Sequence, residues 1–175
     1  MRQVYAIALG SNRRGRHGAP EAELRAALVA IGRVSAVSPI VRSAPVGPSQ
    51  RRYANAVALV ESALPPHAML RHLKAIERAF GRRRGRRWAA RVIDLDIVLW
   101  SGGCWASAGL IVPHAAFRER AFVLGPLAAI APDWRDPVTQ LTVRQLYARL
   151  TRPHPTPNSR RLAGARSSIG RASDF

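Results

Sequence analysis

The sequence predicts an α+β fold: a ferredoxin-like β-α-β-β-α-β sheet packed by helices in three αβα layers, with extra helices toward the C-terminus. Three observations predict it. Runs rich in β-branched and aliphatic residues at 4–9, 34–41, 53–60 and 92–99 read as strands. Two alanine- and leucine-rich stretches between them carry helix start signals or apolar residues at three- and four-residue steps. Glycine or proline punctuates the junctions, and the resulting order is that of the split βαβ unit.

The first strand, 4–9, is expected to end at the turn signal Gly10-Ser11-Asn12, ahead of the basic loop RRGRHG. Pro20, Glu21 and Glu23 then open a helix to about residue 31, because proline and acids suit the exposed amides of a first turn; Gly32 stops it. Strands over 34–41 and 53–60 follow, separated by SAPVGPSQRR, which its prolines and glycine keep irregular. Pro65-Pro66 starts a second helix whose Met69, Leu70, Leu73, Ile76 and Phe80 form a core stripe. Gly81 ends that helix and introduces RRRGRRWAAR, which feeds the strand over 92–99. Beyond it come a short strand over 110–112, the loop PHAAFRERAF, an apolar helix near 123–130 and a last helix around 142–150.

The 175 residues, 47% hydrophobic, suit one domain over 1–151 and a basic tail over 152–175 with almost no large apolar residues, expected to stay disordered. The tail's SSIGRAS string is encodable by a sequence resembling the D-arm of a tRNA gene, so an overrun of the reading frame is expected there. Lys plus Arg total 28 against 10 Asp plus Glu, a net charge of +18, and Lys74 alone is lysine. Arginine excess reflects GC-rich coding in part, yet such a charge favours polyanions. Cys104 is the only cysteine, which excludes an intramolecular disulfide and a cysteine-built zinc site and suits a reducing compartment. The longest apolar stretch, AFVLGPLAAIAP, falls short of the ~20 residues that span a bilayer. A cytoplasmic protein without a membrane partner is the expectation.

The chemistry concentrates in RWAARVIDLDIVLW. On an alternating strand Asp94 and Asp96 share one face, roughly 6.5 to 7 Å apart, while Ile93, Leu95 and Ile97 point into the core. Two bare carboxylates there repel, so a positive partner is required: the upstream arginines or a divalent cation. Taken singly, Arg82, Arg83, Arg84, Arg86, Arg87 and Arg91 read as a solvated loop, and the acids as an ion-paired surface pair. Together they describe a site for a polyphosphate–metal complex, because arginine forks bind phosphate oxygens and paired aspartates bind Mg²⁺. Neither a G-x-x-x-x-G-K-[ST] loop nor a G-x-G-x-x-G turn occurs, so the phosphate donor is held some other way.

Several short motifs, in order from about residue 5 to 150, resemble one family: IALGSN, RSAPVGP, YANAV, RWAARVIDLDIV and VPHAAFRERAFVLGPLAAIAP. They look like 6-hydroxymethyl-7,8-dihydropterin pyrophosphokinase of folate biosynthesis. The resemblance implies transfer of the terminal pyrophosphate of ATP to the dihydropterin hydroxymethyl group, with release of AMP. It implies two Mg²⁺ ions on Asp94 and Asp96, and catalytic roles for Arg82 and Arg91. It assigns Arg84, Arg87, Ile97, His114 and Arg120 to ATP, and Ser43, Ala44, Val46, Tyr53, Asn55, Trp88 and Phe122 to the pterin. Glu77 matches a family position near the phosphates, although alone it is an ordinary helix acid. Alone, Tyr53 and Phe122 would be core residues, Asn55 a solvent-facing strand residue and His114 a structural one. Ala89-Ala90, Ala115, Ala129 and Val41 depart from the family pattern, and none of them is a metal ligand or a catalytic arginine of that pattern. A monomer acting on ATP and dihydropterin, without nucleic acid, is implied. The competing reading is a basic nucleic-acid-binding module on a ferredoxin-like sheet, although the sheet lacks the aromatic platform of single-strand readers.

Overall fold

A computed structural model describes residues 2–44, 51–81 and 91–153. Its main sheet runs β2(Val34–Val37), β4(Tyr53–Ser62), β1(Gln3–Ser11), β5(Asp94–Trp100), with β3(Val41–Ser43) also on β4, and every pairing is antiparallel. Strands β1 and β4 form the centre because they are the longest, and they pair along their whole length from Gln3↔Ser62 to Ser11↔Ala54. Helices α1(Pro20–Ile31) and α2(Pro66–Ala79) cover one face, and α3(Ala121–Ile130) and α4(Val143–Thr151) the other. This is the expected αβα sandwich.

Alternation along β1 sorts its side chains between two cores. Tyr5, Ile7 and Leu9 bury against Leu24 and Ala27 of α1 and Met69 and Leu73 of α2, while Ala6 faces Leu124 and Leu127 of α3. Each fully buried leucine contributes about 1.5–3 kcal/mol. Helix α1 starts with proline at its first turn and acids at Glu21 and Glu23, and stops at Gly32, whose φ of 69° favours glycine. Helix α4 starts on a reciprocal capping box between Thr142 and Gln145.

The structure departs from the sequence reading at three places. The run over 34–41 is two strands, because Pro39 cannot donate to a ladder; Ser38, buried, exchanges bonds with Val57 through both its backbone N–H and its hydroxyl. Gly10 and Ser11 extend β1 instead of turning, since Gly10 pairs with Asn55 on one side and Asp94 on the other. Alternation in β5 holds through Ile97 and then stops: a bulge opposite Ala6 and Ile7 turns both Val98 and Leu99 into the second core. A hairpin of β6(Trp105–Ser107) and β7(Leu110–Val112) precedes a 3₁₀ turn, Phe117–Glu119. No helix among the described residues is long and apolar enough to cross a membrane. The tail over 154–175 lies outside the described residues.

Candidate active site

Asp94 and Asp96 project from β5 on the face opposite Ile93, Leu95 and Ile97, as alternation requires, into a cleft of about 270 Å³ at one end of the sheet. Each has a cation beside it. Arg91 donates from Nη1 to Asp94 Oδ2 at 2.6 Å, and Lys74 Nζ lies 3.9 Å from Asp96 Oδ1. Burial and then the charge of Asp94 push the Asp96 carboxyl above the usual carboxylate range, with Lys74 pulling the other way. Burial opposes the charge on Arg91, but the Asp94 ion pair and hydrogen bond outweigh it and its pKa rises. The Arg91 pair is thus one of the two alternative positive partners expected from the sequence, and the surplus of negative charge at Asp96 suits a further cation.

The strand that carries the acids is an edge strand, and its outer side is capped by side chains. Glu77 of α2, fully buried, accepts from Leu95 N–H at 2.8 Å and from Lys74 Nζ at 2.8 Å; Lys74 in turn donates to the Leu95 carbonyl at 3.3 Å. A lysine and a glutamate one turn apart therefore stand in for a missing strand at the residue between the two aspartates. At the strand entrance, the Asn12 side chain accepts from Arg91 N–H at 2.8 Å and the Asn12 N–H donates to the Arg91 carbonyl at 3.2 Å. That exchange ties the chain just after β1 to the chain just before β5 and fixes the backbone from which Arg91 reaches Asp94.

The opposite wall comes from the segment after β7. His114 is tied by its N–H to the Val98 carbonyl at 3.0 Å, and its Nδ1 accepts from Ala116 N–H at 3.2 Å. A neutral imidazole accepting at Nδ1 carries its proton on Nε2, which makes it a donor. Arg120 sits at the N-cap of α3, its guanidinium 5.9 Å from the Phe122 ring.

A slot for a flat heterocycle completes the cleft. Tyr53 and Phe122 contribute rings, and Asn55, only 6% exposed, donates from Nδ2 to Ser43 Oγ at 2.9 Å. Its orientation is thereby fixed, and the remaining amide edge offers both a donor and an acceptor. Burial followed by opposing effects of Arg91 and Asp94 raises the pKa of Tyr53, so it stays a neutral phenol. Gly10 is the floor: a Cβ there would stand 3.5 Å from Asn55 Oδ1 and 4.0 Å from the Tyr53 ring, so a larger side chain would take the slot's space.

The structure thus brings together Ser43, Tyr53, Asn55, Arg91, Asp94, Asp96, His114, Arg120 and Phe122 in one cleft. Two expected residues sit elsewhere. Ile97 is 2% exposed in the first core, on the face away from the acids, and Ala44 is exposed beyond the end of β3. Val46, Arg82, Arg84, Arg87 and Trp88 lie outside the described residues. Sequence reasoning missed Lys74, Asn12 and Gly10. Lys74 carried a signal, as the only lysine among so many arginines, three residues before Glu77. Among the described residues no cluster of three or more His, Cys, Asp or Glu is placed to hold a metal alone. Two carboxylates nevertheless fit Mg²⁺, which keeps water and substrate phosphate oxygens as its other ligands.

Comparison with known proteins places the same cleft in context. A family model described as 7,8-dihydro-6-hydroxymethylpterin-pyrophosphokinase matches residues 6–132. The chain is 43% identical over 143 residues to the 2-amino-4-hydroxy-6-hydroxymethyldihydropteridine pyrophosphokinase of Pseudomonas aeruginosa, covering 78% of this chain and 85% of that protein. Against the protein of the same name from Synechocystis it is 42% identical over 120 residues, spanning 69% of this chain and 62% of the relative. Among solved structures, a Plasmodium falciparum HPPK-DHPS superposes with a TM-score of 0.68 at 14% identity, over 85% of this chain and 41% of that one, a likeness of fold.

Proposed function

Because the chain belongs to the 7,8-dihydro-6-hydroxymethylpterin-pyrophosphokinase family, we propose that this cleft transfers the terminal diphosphate of ATP to the hydroxymethyl group of 6-hydroxymethyl-7,8-dihydropterin, a step of folate biosynthesis. The observation that carries it is the meeting, in one cleft, of a paired-aspartate strand with an aromatic slot closed by a fixed asparagine. In the reaction the hydroxymethyl oxygen bonds to the β-phosphorus and the bond from that phosphorus to the α-bridging oxygen breaks. AMP leaves with that oxygen, and the hydroxyl proton passes to solvent.

The chain's own residues supply position and charge. Tyr53 and Phe122 sandwich the pterin, and the Asn55 amide reads its edge. His114 and Arg120 donate to the phosphates from the wall, and Arg91 faces the same charge from the floor. Asp94 and Asp96 would hold two Mg²⁺ ions, which would supply Lewis-acid neutralisation of phosphate charge. A cation held there would offset the negative charge that burial makes costly at Asp96. The family resemblance assigns Arg82 to catalysis, Arg84 and Arg87 to the nucleotide, Trp88 to the pterin, and backbone groups at Ala44 and Val46 to the pterin as well. Ile97 contributes through its backbone to the nucleotide. No general base of strong character is required where alignment and electrostatics carry the rate. Action as a monomer in the cytoplasm belongs to the same reading.

The nucleic-acid reading finds no support in the described residues, where α1 and α2 pack on one face of the sheet and α3 and α4 on the other, away from the arrangement of an open stacking platform. Incubating the protein with ATP, Mg²⁺ and the dihydropterin and following AMP tests the proposal. AMP forming only when the pterin is present supports it. Failure of AMP to appear, or its appearance at an undiminished rate in Asp94→Ala and Asp96→Ala, overturns it.

A further inference from the structure

We infer that the Arg118–Asp136 ion pair is a positioning element that sets the His114–Arg120 wall against the nucleotide phosphates. The inference rests on the functional reading above and adds to it two residues that lie outside the cleft.

The wall needs such an element because its own backbone is weak. Between His114 and Arg120 the chain makes only the 3₁₀ turn Phe117–Glu119, and single turns of this kind have poor hydrogen-bond geometry. Its ends are fixed: His114 N–H on the Val98 carbonyl, and the Arg120 carbonyl accepting from Val123 and Leu124 at the head of α3. Phe117, 1% exposed, anchors the inner side in the second core. The outer side is held by Arg118. Its Nε donates to Asp136 Oδ2 and its Nη2 to Asp136 Oδ1, both at 2.7 Å, and its guanidinium lies 4.7 Å from the Phe117 ring. A fork of this kind fixes direction as well as distance, which a single contact does not.

Asp136 is built to be an immovable anchor. It is fully buried, and its carboxylate also accepts from the Thr139 hydroxyl at 2.6 Å and from the N–H groups of Val138 and Thr139. Its backbone is closed into the same turn: Asp136 N–H donates to Leu141 and its carbonyl accepts from Gln140. The turn connects α3 to α4, so the pair ties the wall to the helical layer that packs on the sheet. A buried ion pair is a poor source of net stability compared with apolar packing, and fixing a geometry is its better-attested use. The pair also commits Arg118 to the outside of the wall, leaving Arg120, two residues on, as the guanidinium that lines the cleft.

The test is steady-state kinetics of Asp136→Asn and Arg118→Lys, with equilibrium binding of MgATP by each protein. Asp136→Asn should raise KM for ATP and the Kd of MgATP about tenfold, with kcat and KM for the dihydropterin changed less than about twofold. Arg118→Lys keeps the charge but not the fork and should shift the same constants by less; the double variant should be no worse than Asp136→Asn alone. Should Asp136→Asn fail to fold, Arg118→Lys, whose side chain is 26% exposed, decides alone. Unchanged nucleotide constants, or equal changes for both substrates with a lowered melting temperature, overturn the inference. A wild type that binds MgATP but forms no AMP overturns the functional reading instead, and the Kd values still decide the role of the pair.

Discussion

The floor and the wall of the cleft are built differently. The floor is sheet: Asp94, Asp96, Asn55 and Gly10 sit on β1, β4 and β5, whose ladder bonds set their spacing before any side chain acts. The wall is a short irregular segment whose geometry depends on a buried hydrophobic anchor and one ion pair. The groups that must hold a fixed mutual distance, the two carboxylates, are on the rigid side. The groups that meet one end of a flexible triphosphate are on the other. Precision is placed on secondary structure, and the contact that tolerates variation is placed on a turn.

Breaking the floor should have the largest effect, and the break is separable from the fold. Asp96→Asn should lower the rate of AMP formation roughly a thousandfold, the loss of several kcal/mol of charge stabilisation. It should leave the metal-free protein as stable as the wild type or more so, because a carboxyl whose pKa is raised on folding costs stability at neutral pH. Rates with MgATP and thermal melting in a chelator measure the two. A substitution that cost both activity and metal-free stability would place Asp96 among the structural acids.

Glu77 tests whether the edge cap is what keeps the floor rigid. Glu77→Ala leaves Leu95 N–H without that acceptor in a buried site and removes the closest anion from Lys74. Unfolding in urea should show a loss of about 2–4 kcal/mol. Glu77→Gln keeps an acceptor and should lose less. A variant as stable as the wild type would mean that water or a neighbour takes over the cap, and the rigidity of β5 would then come from β1 alone.

What could be read from the sequence follows the same division. Strand and helix periods identified the two layers of helices and the shared face of Asp94 and Asp96, because alternation and three-to-four spacing are properties of local backbone geometry. Gly10-Ser11 misled for a physical reason: glycine and serine signal a turn when their backbone groups lack partners, and here strands on both sides supply them. Ser38 shows the converse, a hydroxyl replacing ladder bonds beside a proline inside what reads as one strand. Ile97 was assigned by resemblance to the nucleotide, and its side chain lies in the core, a distinction between side chain and backbone that a motif does not carry. Lys74, Asn12 and the Arg118–Asp136 fork act across 21, 79 and 18 residues of chain, and no local pattern records such pairings.

The smallest effect concerns the tie of the wall, and its sign separates a structural carboxylate from a switch. Although burial alone would raise it, hydrogen bonds from Arg118, Thr139 and Val138 hold the Asp136 carboxyl below the usual carboxylate range. A group whose pKa is lowered on folding contributes stability that is complete above its unfolded value, about 3.9, and is lost as pH falls through the lower folded value. The stability difference between wild type and Asp136→Asn, from urea unfolding at a series of pH values, should therefore be flat from about pH 7 to pH 5. It should narrow only below about pH 4. A difference that instead widened as pH fell from neutrality to pH 5 would mean a carboxyl raised on folding. The tie would then loosen within a pH range where the floor keeps its geometry, and the wall would be a pH-sensitive element instead of a fixed one.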